Sequence, residues 1–262
     1  GGGGGGGGGG GHGVSVQRGA ARLRHCDVTS AVGACLLVSA GAAVRLERCE
    51  LRGAAFQGLF ASGKASVAAA HCDVHSNGAA GIEARGGAAV WLHGCRVASN
   101  GKSGAFAHSF GRVCAERCEF SDNGYAGVEV SARGAAELVE CHVSRGRRGG
   151  LLALGGGAAT ISRSQLEDNA LAHVDVREHG HCALDDCYLA RGGASGVHAS
   201  DGGRATVRRC TIVKNRACAI EVHGAPRSGV DEADNWLDDA SNRTGALVID
   251  GARAERPQAQ AC

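Results

Sequence analysis

Cys118-Glu119-Phe120-Ser121-Asp122-Asn123-Gly124-Tyr125-Ala126-Gly127-Val128-Glu129-Val130 opens one 23-residue unit, and Cys141 opens the next. Extended both ways, the spacing gives Cys26, Cys49, Cys72, Cys95, Cys118, Cys141, Cys187 and Cys210. The one rung without a thiol is Ser164, the nearest isostere of cysteine. Nine units hold this register without insertion or deletion. A fixed period between about 20 and 50 residues marks a solenoid or another repeat array.

Inside each unit, apolar residues stand five and three positions before the rung and two after it, as Val90, Leu92 and Val97 do around Cys95. Period-two alternation marks strands with one buried face. The two residues just before a rung are mostly polar (Arg24-His25, Glu47-Arg48, Arg208-Arg209), so the chain bends there and the cysteine points inward on a second short strand. Five after the rung come Asn77, Asn100, Asn123, Asn169 and Asn215. Asparagine tolerates left-handed backbone and its amide can bond the next rung, so these form a turn ladder. A third strand follows (Ala80-Gly81-Ile82-Glu83-Ala84, Ser195-Gly196-Val197-His198-Ala199), and a glycine-rich corner (Gly86-Gly87, Gly156-Gly157, Gly202-Gly203) closes the unit.

The expected fold is an all-β, right-handed, single-stranded parallel β-helix of about nine to ten coils, with three short strands per coil stacked about 4.8 Å apart. The leucine frame of leucine-rich repeats is missing, and glycine in every unit excludes helical repeats. The expected boundaries are a glycine-rich linker over 1–13, the β-helix over 14–250 and a polar tail over 251–262. Val14-Ser15-Val16 reads as the back half of a coil already under way. After Val222 the register decays, Pro226 breaks it, and Asp234-Asn235-Trp236-Leu237 opens a last irregular coil whose core Trp236 is expected to close.

Formal net charge is +2, from 28 basic and 26 acidic residues, which supplies no electrostatic reason for nucleic acid or a membrane surface. No apolar run approaches the roughly 20 residues of a spanning helix, and no signal-peptide pattern opens the chain. The lack of any methionine points to a trimmed chain. Thirteen cysteines, an odd number with eight locked to the repeat, read as free thiols and a cytoplasmic location rather than a disulfide framework. Asn242-Arg243-Thr244 is a chance glycosylation triplet.

Four arrangements carry candidate chemistry. The cysteine ladder is a straight inward column that cannot converge on a tetrahedral zinc, so its expected role is packing. Asp27, Glu50 and Asp73 stack beside His25, Arg48 and His71; they read as a salt-bridge ladder, with calcium as the alternative, and no other metal or cofactor is expected. On the third strand Glu83, Glu129, Asp175 and Glu221 face outward on alternate coils, about 10 Å apart, which is too far for a retaining glycosidase pair and at the limit for an inverting one. Leu37, Phe60, Phe106 and Leu152 share that column, and Trp91 faces outward on the first strand. Together they suggest a docking surface for a protein partner.

The unit asparagine-any-any-alanine-glycine-valine/isoleucine-any-valine/isoleucine, clearest at Asn123 to Val130, resembles the β-helix repeats of F-box-only substrate adaptors of ubiquitin ligases. A similar segment, Asp168 to Val176, has His173 where glycine belongs. The resemblance spans residues 14–250 and implies the fold; no family site residue carries over. The leading expectation is a non-enzymatic interaction module that recognises substrates for ubiquitylation. The alternatives are a carbohydrate-binding or polysaccharide-cleaving β-helix, with a glycan as partner, and a structural rod in a larger assembly.

Overall fold

A computed structural model describes residues 11–224, 228–238, 240–243 and 245–249, with the backbone of 252–253. The expectations for the glycine run 1–10, for Pro226 and for most of 251–262 lie outside the described residues.

The chain winds as a right-handed parallel β-helix of three sheets. The first sheet runs through ten strands, from Ala20–Arg24 to Gly229–Ala233. The second runs through ten, from Asp27–Val28 to Trp236–Leu237. The third has twelve, from Val14–Val16 to Gly245–Ile249 and then Ala252–Arg253. Coils pair parallel in the 23-residue register, for example Val90 with Val67 and Val113. Ala252–Arg253 runs antiparallel to the strand before it. The columns Val67–Val90–Val113 and Val97–Phe120–Val143–Leu166 are fully buried. Removing each such side chain from water contributes about 1.5–3 kcal/mol, so the stacked columns, not local propensity, stabilise the rod.

The corners explain the ladders. The residue before each cysteine rung is left-handed, as at Arg48 (φ 50), His71 (φ 53) and Arg117 (φ 52). That conformation costs an L-residue about 1–2 kcal/mol. The rung sits in the bend itself, ahead of the second strand, and clasps it. Cys72 Sγ donates to the carbonyl of Ala70 (3.3 Å) and accepts from the Cys49 N–H (3.4 Å). Ser164 does the same, donating to the Ser162 carbonyl at 2.8 Å and accepting from Cys141 N–H at 3.0 Å. Asn235 takes the next rung after Cys210, whose N–H donates to its Oδ1 at 2.8 Å. The column is therefore hydrogen-bonded as well as packed.

At the second corner the left-handed residue precedes the asparagine (Ser76 φ 55, Ser99 φ 54, Asp122 φ 57) rather than being the asparagine. The buried amides chain along the axis: Asn77 Nδ2 donates to Asn100 Oδ1 at 3.0 Å, and Asn100 Nδ2 to Asn123 Oδ1 at 3.1 Å. Asn242 extends this ladder, accepting from Asn215 Nδ2 at 3.1 Å and donating to the Ile212 carbonyl. It is 2% exposed, so the triplet's asparagine is a structural amide.

The third corner uses two successive left-handed residues: Gly86–Gly87, but also Ser109–Phe110, Ala132–Arg133 and Glu178–His179. At Gly155–Gly156 and Asp201–Gly202 the pair falls one residue earlier than the glycine doublets suggest. Trp236 does not close the core. Its side chain is 69% exposed, because Asn235 takes the rung and turns Trp236 outward, and Leu237 packs inward instead.

Candidate functional site

The outward column of the third sheet is continuous in register: Leu37, Phe60, Glu83, Phe106, Glu129, Leu152, Asp175, His198 and Glu221. It is less exposed than the sequence suggests. Leu152 is 4% exposed and belongs to the buried set. Leu37, Phe60 and Phe106 are half-buried. The Arg85 guanidinium lies over the Phe60 ring, 4.7 Å from its centroid.

Midway along the rod this column opens into a cleft of about 370 Å³ lined by Gln57, Glu83, Lys102, Ser103, Phe106, Tyr125 and Glu129 among others. Glu83 accepts from Gln57 Nε2 (2.6 Å) and lies 3.2 Å from His108 Nε2. Phe106 stacks on the His108 ring with centroids 4.4 Å apart. Ser103 Oγ donates to Glu129 Oε2 at 2.6 Å. Burial holds the Glu129 carboxyl above the usual carboxylate range; the Ser103 hydroxyl and the positive charge nearby offset this only in part. Glu83 and Glu129 thus flank one aromatic floor, and Glu129 is the carboxyl suited to keep a proton.

A second polar group stands at the carboxyl-terminal end of the same column. His198 Nδ1 lies 2.9 Å from Asp175 Oδ1, and this contact raises the pKa of the imidazole. Burial pushes Glu221 up, but hydrogen bonds from Ser195 and His223, together with the charges of His198 and His223, outweigh it and hold the carboxyl below its usual range. The two clusters share a construction that single residues do not show. Gln57 bonds Glu83, Ser103 bonds Glu129 and Ser195 bonds Glu221, each across 26 residues. One full coil plus three positions around the corner produces that offset. The repeated separation of a polar residue from a glutamate is the signal in the sequence that exposes Gln57, Ser103 and Ser195.

Asp27, Glu50 and Asp73 stack in the second sheet as expected, but among the described residues they do not pair with His25, Arg48 or His71, which sit at the left-handed bend before the rung. Arg52 pairs with both Asp27 and Glu50 (3.0 Å for the latter), His75 lies 2.8 Å from Glu50, and Arg96 pairs with Asp73 at 3.2 Å. Among the described residues no three His, Cys, Asp or Glu side chains gather into a metal site. The described cysteines carry free thiols. Burial pushes the Cys35 thiol up to about 11 and Cys182 up to about 12, which keeps both protonated and unreactive.

The solved structures similar to this chain include two from Azotobacter vinelandii. The mannuronan C-5 epimerase AlgE4 A-module superposes with a TM-score of 0.64 at 13% identity, covering 91% of this chain and 75% of that one. The AlgE6 A-module gives 0.51 at 13% identity, covering 85% and 68%. At that identity the likeness is one of fold. No curated protein sequence matches the chain. The profile described as right handed beta helix region matches residues 12–109 and 86–234. Profile, register and three-sheet winding agree, and the chain belongs to the right-handed β-helix family.

Proposed function

We propose that the protein binds a polysaccharide along the outer face of its third sheet and carries out acid–base chemistry on it in the Glu83–Glu129 cleft. The observation that carries this reading is the pair of half-buried carboxylates on either side of Phe106, one of them held above its usual pKa. A sugar ring presents a flat apolar face that suits the Phe106 floor, with Lys102 at the rim to meet its hydroxyls. Glu129 is assigned the proton donor and Glu83 the acceptor. They stand two coils apart, about 10 Å along the stack, so the acceptor works through a water or from the opposite face of the ring. The shared fold with two mannuronan C-5 epimerase modules supports a carbohydrate ligand.

The test is retention on immobilised polysaccharides, mannuronan included, together with chromatography of the products. Phe106→Ala should weaken retention and lose turnover, whereas Glu129→Gln should keep retention and lose turnover. Failure to be retained on any of the polysaccharides would defeat the reading. The resemblance to ubiquitin-ligase adaptors leaves a second reading, docking of a protein substrate, favoured by the exposure of Phe56 and Phe110. The burial of Leu152 and the covering of Phe60 by Arg85 remove half of the apolar column it relied on.

A further inference from the structure

Trp91 lacks the cover that several other ring side chains carry. Phe60, Phe110 and Tyr125 each carry an arginine over the ring, at 4.7, 5.7 and 5.3 Å, and Phe106 is stacked on His108. Among the described residues no guanidinium and no second ring lies over Trp91, which is 46% exposed. Its register neighbours are Ala68 on one coil and Cys114 on the next, both small, so the indole is not walled in along the axis. The result is a trough of about 590 Å³ on the outer face of the first sheet, around the corner from the Phe106 cleft.

The charges around this trough are unequal in availability. Glu47 is occupied by Arg22 at 3.1 Å and Arg24 at 2.9 Å, and Glu116 lies 3.5 Å from His93. Arg45 and Arg112 line the trough, and among the described residues neither forms an ion pair. Arg45 is two coils from Trp91 in the same column, and Arg112 is on the next coil, displaced along the strand. Glu137 lies beyond Cys114 and supplies an acceptor. An open ring face, two guanidinium groups outside any ion pair among the described residues, and one carboxylate met only by the weak Cys114 thiol donor at 4.0 Å suit a ligand that is flat, hydroxylated and singly negative. Glu47, Glu116 and Glu137 together disfavour densely charged phosphates.

We propose that the Trp91 trough is a second saccharide-binding platform, separate from the Phe106 cleft, that takes one carboxylated sugar residue of an acidic polysaccharide. The ring lies on the indole, its carboxylate accepts from Arg45 or Arg112, and a hydroxyl donates to Glu137. This rests on the polysaccharide reading of the third sheet but uses none of its residues.

The test uses the full chain with Trp236→Phe, so that Trp91 is the sole indole reporter. Titration with a mannuronan oligomer should change Trp91 emission saturably. Arg45→Gln and Arg112→Gln should each weaken that response about tenfold, and a neutral cello-oligosaccharide of equal length should bind about tenfold more weakly, the loss of one charge-assisted hydrogen bond. The response should persist in Phe106→Ala. No emission change, an equal response to the neutral oligomer, or tighter binding of an acidic peptide of the same charge would overturn the proposal. A response that vanishes with Phe106→Ala would overturn it while leaving the cleft intact. A response at Trp91 with retention unaffected by Phe106→Ala would instead defeat the cleft reading alone.

Discussion

The imidazole of His173 occupies the space that a side chain at residue 192 would need: a Cβ on Gly192 would lie 2.9 Å from His173 Nε2. Residue 192 is a rung of the asparagine ladder, and residue 173 belongs to a column that is glycine in most coils. Elsewhere in that column a Cβ is crowded by the next coil: on Gly104 it would meet the Gly127 carbonyl oxygen at 2.6 Å and Asn123 Nδ2 at 2.7 Å. The two departures from the repeat compensate one another. Gly192→Asn alone should therefore destabilise the rod by about 1–3 kcal/mol through overpacking. Combined with His173→Gly it should recover, rebuilding a continuous amide ladder. Thermal denaturation of the two singles and the double variant measures the coupling.

His173 also gives the fold an acid limit. Burial lowers its pKa from 6.5 to about 4. The unfolded chain takes up a proton below about 6.5, and the folded chain does not until about 4. Stability is thus complete above pH 6.5 and falls as pH drops toward 4, by up to about 3 kcal/mol. His198 acts in the opposite sense: its raised pKa stabilises at low pH and the contribution is lost as pH rises through the folded value. Denaturant midpoints at pH 7 and pH 4.5 for wild type and His173→Gln should differ most at the lower pH, with the variant less acid-sensitive.

The clasp at the first corner separates two substitutions that a purely apolar column would treat alike. Cys95→Ser keeps an acceptor for the Cys72 N–H and should change stability little, as Ser164 already shows at its own rung. Cys95→Ala leaves that buried N–H unpaired and should cost about 1–3 kcal/mol. Equal losses in the two variants would mean that the thiols only pack.

Ser103 is the handle on the cleft. Its hydrogen bond is the larger of the influences that pull the Glu129 pKa back down against burial. Ser103→Ala should raise the pKa further and move the alkaline limb of turnover to higher pH, with Phe106-dependent retention unchanged. An unshifted limb would mean that Glu129 is not the proton donor.

Much of this molecule is written in the period of 23. The buried columns, the three sheets and the outward register of Glu83, Phe106 and Glu129 all follow from counting, because every coil from Cys26 to Cys210 is the same length. What escapes counting are contacts that leave the period. Asn235 joins the cysteine ladder 25 residues after Cys210 (235 − 210), and that shift turns Trp236 out to solvent. The Ser103–Glu129 bond spans 26 residues, because it crosses a coil and rounds a corner. The strain at His71 or Asp122 is invisible in composition, since neither residue type is reserved for left-handed backbone. Exposure along the outer column depends on neighbours such as Arg85 reaching sideways, which no single column reveals.

The equal coils have a mechanical consequence. Every hydrogen bond between strands points along the rod, while the covalent chain winds around it. Tension applied to the two ends therefore peels coils off one after another instead of shearing a whole sheet at once. Each coil between Cys26 and Cys210 has the same 23 residues to release. That is about 80 Å of contour length per event, so a single molecule under load should lengthen in even steps, like a ratchet with one tooth size.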